Sequence, residues 1–329
     1  MGRRTGGGRP GPARRGLRLT TVLCQLGGRI GETIAEAFPD VDVRSIGSGD
    51  ALEDDARGEV LLTSHFFGQD LPVLVDRGVR WVHNFGTGVD QFPFDLLGPD
   101  QILTCSRGAG AGPISEWVIT QMLAFEKRLP ESWITEPPEH WNLADLGTLA
   151  GRRVGINGFG GIGEAVARRV LPFGSVVQAY RRRPIAPPHD LDVEVVTDLR
   201  SMAEWCEHLV VTAPATPDTH HLVGPEVLAV LGPGAHLVNI ARGSLVDQDA
   251  LRTALDDGRV ALASLDTVTP EPLPDGHWLY EHPQVHLSPH ISWSSPERYD
   301  RILGIFLEEL ARWEAGEPLE NVVDIQAGY

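Results

Sequence analysis

The stretch that decides the fold is VGINGFGGIG, residues 154–163. Its apolar start predicts a strand, and Gly158, Gly160 and Gly163 give the spacing G-x-G-x-x-G before a helical pattern at 161–171. Such glycines make a tight turn, let the backbone approach a pyrophosphate and pack the helix closely on the strand. An ordinary glycine-rich turn is the alternative, but the strand–turn–helix context favours a dinucleotide site. The predicted coenzyme contacts along the turn are Gly158, Phe159, Gly160, Gly161, Ile162 and Gly163.

Short apolar runs alternate with helical patterns on both sides of this turn. This alternation is typical of parallel sheets that are covered by helices on both faces. Two long helices, predicted at 114–125 after Pro113 and at 296–313 after the caps Ser294-Ser295, stand where one α/β unit could end and another begin. The other predicted helices are at 30–38, 161–171 and 248–256. Strands are predicted at 19–24, 41–46, 60–63, 81–83, 102–105, 154–156, 176–180, 193–196, 209–212, 236–240, 261–265 and 285–287.

The residues after the strand predicted at 176–180 bear on the choice of coenzyme. NAD-selective sites place a carboxylate here to bind the ribose hydroxyls, whereas this chain has Arg181, Arg182 and Arg183. Three guanidinium groups could hold a 2′-phosphate through paired, charge-assisted hydrogen bonds. A solvated basic loop is the alternative. We predict that NADP(H) is preferred and that NAD(H) is the second choice.

Three segments that each follow a predicted strand carry reactive side chains. Arg242 lies in NIARG, Glu271 in LDTVTPEP and His290 in SPHIS. Because ligands of open α/β sheets collect at the carboxyl ends of the strands, we expect these three side chains to converge there. Together they would bind an anion, set the charge of an imidazole and donate a proton.

Composition excludes several classes of function. The 329 residues suffice for two domains, and a formal net charge of −17 argues against nucleic acid or an anionic membrane surface as a partner. No apolar run is long enough to span a membrane, so we expect no membrane partner. The three cysteines lie far apart, which argues against a disulfide framework and favours a reducing cytoplasm. No histidine pair has metal-ligand spacing, so we predict no metal. Residues 1–16, rich in arginine and glycine, are predicted to form a disordered tail.

The ordered motifs resemble those of the D-isomer-specific 2-hydroxyacid dehydrogenases. The resemblance covers the chain from about residue 17 and includes LAG at 149–151, the ARG segment with Val246-Asp247, the LD…EP and PH segments, and NVVD at 321–324. It implies an α/β protein of two Rossmann-like lobes with parallel sheets, in which the substrate-binding lobe is discontinuous. We expect that lobe at 17–107 and 293–329, and the dinucleotide-binding domain at 108–292.

The resemblance also implies a reaction and a role for individual residues. We expect hydride transfer between nicotinamide and C2 of a 2-oxo acid or D-2-hydroxy acid, in the reducing direction. His290 would give the proton to the carbonyl oxygen, Glu271 would stabilise the imidazolium, and Arg242 would bind the carboxylate and stabilise the alkoxide. Asp266 would lie near the nicotinamide carboxamide. The other expected coenzyme contacts are Arg181, Arg182, Arg183, Thr212, Ala213, Pro214, Ile240 and Ala241, and the expected substrate contacts are Phe85, Gly86, Thr87, Gly88, Arg242 and His290.

The identity of the substrate stays open between two predictions. The arginines after residue 180 are similar to those of glyoxylate and hydroxypyruvate reductases that prefer NADPH, whereas Phe66, Phe67, Phe85 and Thr87 indicate only a small or partly apolar group. A larger 2-oxo acid is therefore the alternative. Thr87 replaces the lysine of phosphite-oxidising relatives, and Glu271 replaces the glutamine of formate dehydrogenases, which argues against both substrates.

Two further predictions concern partners. Residues 133–149, rich in Trp and Pro, resemble the dimerisation arm of the family and predict a homodimer. Nucleotide-sensing corepressors use the same fold and can keep the Arg/Glu/His triad, so a corepressor-like binding protein is the alternative from another class. The acidic composition and the arginine-rich coenzyme loop argue against that alternative.

Overall fold

The computed structural model describes residues 19–46, 56–64 and 70–329. The tail predicted at 1–16 and the pocket residues Phe66 and Phe67 lie outside the described residues. The described chain forms two parallel sheets, which confirms the predicted α/β class with two Rossmann-like lobes. No helix in the described ranges combines the length and apolar character that crossing a membrane requires.

The first sheet is built from the N-terminal third of the chain. Its strand order is β2-β1-β3-β4-β5, and all neighbours are parallel. The strands β3 and β4 are buried along their whole length, because helices cover both faces of the sheet. The elements are β1 Thr21–Cys24, α1 Gly28–Ala37, β2 Asp42–Ser45, β3 Val60–Thr63, α2 Leu71–Val75, β4 Trp81–Asn84 and β5 Ile102–Cys105.

The second sheet follows in the order β12-β11-β10-β9-β6-β7-β8. The chain runs outward from β6 to β8 and then crosses back to β9 beside β6, so the strand order reverses between these two central strands. Such a reversal opens a crevice at the carboxyl ends of the strands, where ligands of open α/β sheets bind. The elements are β6 Arg153–Asn157, α4 Gly161–Val170, β7 Val176–Tyr180, β8 Val193–Val196, α5 Leu199–Trp205, β9 His208–Val211, α6 Pro225–Leu228, β10 Ala235–Asn239, α7 Gln248–Asp256, β11 Val260–Leu265 and β12 Val285–Leu287.

Two long helices, α3 Ala111–Lys127 and α8 Arg298–Ala315, link the sheets. The apolar face of α3 packs on the second sheet, where Val118 and Met122 are fully buried. The helix α8 returns to the first sheet, where Phe306 stacks on Trp81 with ring centroids 5.4 Å apart. The first lobe is therefore discontinuous, as the fold class predicts.

Every strand predicted from the sequence is present, and its ends differ by at most two residues from the prediction. The sequence pattern does not predict α2, α5 and α6, because helices of four to seven residues are too short to show a 3.6-residue period.

The predicted serine cap of α8 is wrong. The helix begins at Arg298 after Glu297, and no side-chain cap is formed. Ser294 and Ser295 instead lie in a turn, in which the Ser294 N–H donates to Ile291 O and the Ser295 carbonyl accepts from the Arg298 N–H. The chain therefore enters the helix at Arg298, two residues later than the predicted start at 296.

Candidate active site

The glycine turn after β6 has the geometry of a pyrophosphate cradle. Gly158 has φ of +102°, and a Cβ there would lie 2.5 Å from the Ala213 nitrogen, so only glycine fits. A Cβ on Gly163 would lie 2.3 Å from the Gly158 oxygen, whereas none of the described atoms comes within 4 Å of a Cβ on Gly160. The first and third glycines serve close packing, and the second leaves the turn open to a ligand at the N terminus of α4.

The loop after β9 lies against this turn. The Thr212 hydroxyl donates to Asn157 O at 3.3 Å and also to Gly158 O. Ala213 is the residue that a side chain at Gly158 would strike, and Pro214 follows it. The structure thus brings the segment of Thr212, Ala213 and Pro214 to the glycine turn. The predicted dinucleotide site requires this placement. Ile240 and Ala241 follow the neighbouring strand β10 and are buried.

Of the three arginines after β7, Arg181 lies on the glycine turn. Its Nε donates to Phe159 O at 3.1 Å, its Nη1 donates to Ile185 O at 2.9 Å, and its guanidinium carbon lies 5.1 Å from the centroid of the Phe159 ring. These partners are neutral, and within the described ranges no carboxylate pairs with it. Arg182 pairs with the exposed Asp218 at 3.3 Å, and Arg183 is exposed.

The predicted acid and its carboxylate partner meet in the structure. His290 Nδ1 lies 2.9 Å from Glu271 Oε2, and both side chains are 36% exposed. The second oxygen of Glu271 accepts from the Val268 N–H at 3.0 Å, which fixes the carboxylate. His290 Nε2 has no protein partner among the described residues.

The backbone of His290 is held in the left-handed region, at φ of +54°. This conformation is costly for a residue with a Cβ, so the surrounding bonds must impose it. The His290 N–H donates to the Asp266 and Ser288 carbonyls, each at 3.0 Å. The buried Asp266 carboxylate accepts from the Ile291 and Ser292 N–H groups, each at 2.9 Å, and from the Ser288 hydroxyl. Asp266 therefore anchors the histidine loop; its contact with the nicotinamide carboxamide stays a prediction.

The loop that carries Arg242 is fixed from both ends. The Asn239 side chain donates to Arg242 O at 3.0 Å and accepts from the Ala241 N–H at 3.1 Å. A Cβ on Gly243 would lie 1.9 Å from the Val268 carbonyl carbon, so the Arg242 loop touches the loop that leads to Glu271. Sequence reasoning missed Asn239 and Gly243, although both belong to the quoted NIARG segment.

The predicted substrate loop, Phe85 to Gly88, reaches Arg242 from the first sheet. It follows β4, and the Asn84 side chain holds it by donating to Gly86 O at 3.1 Å and to Gly88 O at 2.9 Å. A Cβ on Gly88 would lie 2.1 Å from Arg242 Nη2. The two lobes therefore meet at this arginine.

Asp90, at the end of the same loop, is a site residue that sequence reasoning missed. Its carboxylate accepts from Arg242 Nε at 3.1 Å and from Arg242 Nη2 at 2.9 Å. The sequence FGTGVD contained a signal for this contact, namely a carboxylate two residues after Gly88.

The structure thus gathers Arg242, Glu271, His290 and the loop from Phe85 to Gly88 at the carboxyl ends of β10, β11, β12 and β4. A cation, a charged imidazole and backbone N–H groups can together bind a carboxylate and protonate a neighbouring carbonyl oxygen. The described residues include no group of three or more His, Cys, Asp or Glu side chains that could hold a metal ion.

Comparison with known proteins points to the same chemistry. The family model for the D-isomer specific 2-hydroxyacid dehydrogenase NAD binding domain matches residues 119–292. The chain is 29% identical over 267 residues to glyoxylate/hydroxypyruvate reductase A of Serratia proteamaculans, an alignment that covers 78% of this chain and 84% of the relative. The corepressor alternative gains no support from this relative, which is an enzyme.

Two solved structures resemble nearly the whole chain. A D-isomer specific 2-hydroxyacid dehydrogenase from Xanthobacter autotrophicus Py2, in complex with NADPH and MES, is 30% identical with a TM-score of 0.80, covering 95% of this chain and 100% of its own. An NADPH-dependent glyoxylate/hydroxypyruvate reductase from Sinorhizobium meliloti, in complex with NADP and sulfate, is 27% identical with a TM-score of 0.79, covering 94% and 100%.

Proposed function

The chain belongs to the D-isomer specific 2-hydroxyacid dehydrogenase family, and from this premise we propose that it reduces a small 2-oxo acid to the D-2-hydroxy acid with NADPH. It is an NAD(P)-dependent oxidoreductase of the CH–OH group. The observation that carries the proposal is the His290–Glu271 pair, in which the carboxylate holds Nδ1 and leaves Nε2 without a partner among the described residues. Glyoxylate and hydroxypyruvate are the first substrates to consider, because the Serratia and Sinorhizobium relatives are reductases of these acids.

Different residues of the site bind the coenzyme, bind the substrate carboxylate and donate the proton. The nicotinamide coenzyme, when bound, supplies the hydride for C2, and the glycine turn, Thr212 to Pro214 and the arginines after β7 would hold it. Arg242 and the backbone N–H groups of Gly86 to Gly88 bind the substrate carboxylate. His290 Nε2 donates the proton to the carbonyl oxygen, while Glu271 stabilises the imidazolium that precedes the transfer.

A panel of 2-oxo acids, assayed separately with NADPH and NADH, tests this proposal. We expect NADPH oxidation with glyoxylate or hydroxypyruvate, and a preference for a bulkier 2-oxo acid would select the alternative substrate class. If neither coenzyme were oxidised with any member of the panel, the proposed function would be wrong. His290→Ala serves as the control for contaminating reductases, because it should abolish most of the rate.

We propose that NADPH is preferred over NADH because of Arg181. Its partners in the described ranges are carbonyl groups, so no described carboxylate pairs with its positive charge beside the turn that would hold the coenzyme. A charge-assisted hydrogen bond contributes about 1.5–3 kcal/mol. The Xanthobacter structure is a complex with NADPH, and the Sinorhizobium relative is described as NADPH-dependent and is in complex with NADP, which supports this choice.

The test is the ratio of kcat/KM for NADPH to that for NADH. Arg181→Asp should reverse the ratio, because the new carboxylate repels a 2′-phosphate and can accept from ribose hydroxyls. Arg259→Asp makes the same charge change before β11, the neighbour of the edge strand β12 on the other side of the sheet, and should leave the ratio unchanged. A wild-type enzyme with a higher kcat/KM for NADH would overturn the assignment.

We also propose a homodimer formed through residues 133–149. Trp133, Trp141 and Leu143 of this segment are 71%, 70% and 75% exposed in the single chain, which leaves a large apolar surface in water. A twofold partner that covers this surface would remove it from solvent.

Light scattering tests the dimer. The wild type should give about twice the 35.8 kDa of one chain at micromolar concentration. Trp133→Ser combined with Trp141→Ser should shift the population toward monomer, whereas Val73→Ser, which changes an exposed apolar residue of α2, should not. A monomeric wild type would refute the proposal.

We retain the boundaries 17–107 with 293–329 and 108–292 as proposed domain limits, since α3 and α8 begin close to the two crossing points. Hydrogen exchange of the full chain should show protection by NADPH concentrated within 108–292.

We also propose a reducing, cytoplasmic location. All three cysteines are free and buried, and burial raises the pKa of the Cys206 thiol to about 12, which keeps it unreactive. A count of three free thiols in the protein isolated from its own cells would test this point.

A further inference from the structure

We propose that Asp90 is a positioning residue for Arg242, which it holds in the orientation that receives the substrate carboxylate. This inference deepens the proposed function and rests on it. Asp90 lies in the loop after β4 of the first sheet, and Arg242 follows β10 of the second sheet. The contact between them therefore crosses the cleft between the lobes.

The geometry of the pair selects one edge of the guanidinium. Asp90 accepts from Nε and Nη2, and Arg242 Nη1 donates to the Ala241 carbonyl at 2.8 Å. A guanidinium has five N–H donors in a rigid fork. Described residues engage three of them, so one N–H on Nη1 and one on Nη2 have no partner within the described part of the chain. These two N–H groups form a free edge that can donate to a carboxylate in the bidentate arrangement that arginine favours.

The loop that presents Asp90 is itself firmly placed. Asn84 holds the loop through Gly86 O and Gly88 O, and the Thr87 hydroxyl donates to Ser106 O at 3.0 Å. Val89, the residue before Asp90, is buried in the core of the first lobe. Asp90 is therefore a fixed carboxylate against which a flexible arginine side chain can be oriented.

A second interpretation of the same pair makes the opposite prediction. Asp90 could occupy Arg242 in place of the substrate, in which case removing its charge would strengthen substrate binding. The free edge of the fork argues against this interpretation, because Asp90 and a substrate carboxylate would bind different N–H groups of one guanidinium.

The change in KM for the best 2-oxo acid decides between them. Asp90→Asn removes the charge and one acceptor, so Arg242 loses its fixed orientation. We expect KM to rise about tenfold, as the loss of one charge-assisted contact predicts, with a smaller change in kcat and an unchanged Kd for NADPH. Asp90→Glu keeps the ion pair at a shifted position and should give an intermediate KM. An unchanged or lowered KM in Asp90→Asn would overturn the proposal.

Asp42→Asn is the matched control. Asp42 lies in the same lobe and pairs with Arg44 at 3.0 Å on the surface, so its variant loses a similar ion pair away from the cleft. We expect its KM to equal that of the wild type.

A double-mutant cycle shows whether Asp90 acts through Arg242 or through the fold. In an Arg242→Lys background the fork is absent, so adding Asp90→Asn should change KM by less than about twofold. An undiminished effect in that background would contradict a positioning role.

Binding of oxamate, an unreactive analogue of a 2-oxo acid, to the NADPH-loaded enzyme gives a readout that does not need turnover. Asp90→Asn should weaken oxamate binding about tenfold, and equal affinity would overturn the proposal. If the wild type reduces no 2-oxo acid, the proposed function fails, while the oxamate comparison still decides the role of Asp90.

Discussion

Two histidine–glutamate pairs lie in the second lobe with almost the same hydrogen bond and opposite surroundings. His290 lies 2.9 Å from Glu271 with both side chains 36% exposed, whereas His208 lies 3.1 Å from Glu126 with exposed fractions of 0% and 2%. The pairing alone therefore does not make an acid catalyst. What distinguishes His290 is a partly exposed ring whose second nitrogen has no partner among the described residues.

In the buried pair every ring nitrogen is occupied by protein. His208 Nδ1 lies 3.1 Å from His236 Nδ1, and His236 Nε2 lies 2.9 Å from the Ser264 hydroxyl. One arrangement of protons satisfies the whole chain of contacts: Ser264 donates to His236, His236 donates to His208, and His208 donates to Glu126. Arg152 completes the network by donating to Glu126 at 3.0 Å.

The electrostatics of the buried network follow from its burial. Burial lowers the pKa of His236 well below the usual value, and the nearby His208 adds to this effect. Burial raises the pKa of Glu126, but the hydrogen bonds from His208 and Arg152 outweigh it, so the net shift is downward. The network therefore stabilises the fold with a neutral His236 and an ionised Glu126, and it offers no proton to a substrate.

The largest expected difference between the two pairs is in the rate of catalysis. His290→Ala should lower kcat by about 10²–10⁴, the contribution of a positioned general acid, without changing the Kd for NADPH. His208→Ala should leave kcat per folded molecule close to that of the wild type. Steady-state kinetics on both variants, normalised to NADPH-binding sites, check this. Retention of most of the activity by His290→Ala would refute its role.

The second difference is in stability. Glu126→Ala leaves the buried His208 N–H without an acceptor, while Arg152 keeps its pair with Glu207, and an unsatisfied buried donor costs about 1–3 kcal/mol. Glu271→Ala breaks an exposed pair, which should cost no more than about 1 kcal/mol. Urea unfolding monitored by circular dichroism measures both. Equal losses would show that the exposed pair is also structural.

The two pairs also differ in how far the sequence could predict them. His290 and Glu271 lie 19 residues apart in motifs at the ends of predicted strands, so the pattern of α/β folds places them together. His208 and Glu126 lie 82 residues apart, and nothing local marks their contact. The same applies to Asp90 and Arg242, 152 residues apart on different sheets. The strands could be predicted because most of them are short, largely buried apolar runs, whereas side-chain contacts between distant loops depend on how the two lobes pack.

The third difference is that the buried histidines make the free energy of unfolding depend on pH in the acid range. The pKa of His236 is lowered by burial, and burial lowers the pKa of His83 in the first lobe to about 3. Below pH 6.5 the unfolded chain therefore binds protons that the folded chain does not, so stability falls as the pH falls, by about 1.4 kcal/mol per pH unit for each histidine. His236→Gln removes one of these histidines and should therefore lower the slope of the unfolding free energy against pH by about 1.4 kcal/mol per pH unit. Ser264→Ala keeps the buried ring and should keep the slope, although it lowers the overall stability. An unchanged slope in His236→Gln would contradict the assignment.

The smallest expected effect is on the rate supported by the exposed pair. Glu271→Gln keeps a hydrogen-bond acceptor beside His290 Nδ1 but removes the negative charge that stabilises the imidazolium. The charged donor then loses a favourable interaction, so kcat/KM for 2-oxo acid reduction should fall about tenfold. This loss should be smaller than in His290→Ala, because the proton donor itself is retained. Glu126→Gln makes the same substitution in the buried pair and should leave kcat/KM per folded molecule unchanged, since His208 gives no proton to the substrate. A loss of rate in Glu126→Gln but not in Glu271→Gln would reverse the roles of the two pairs.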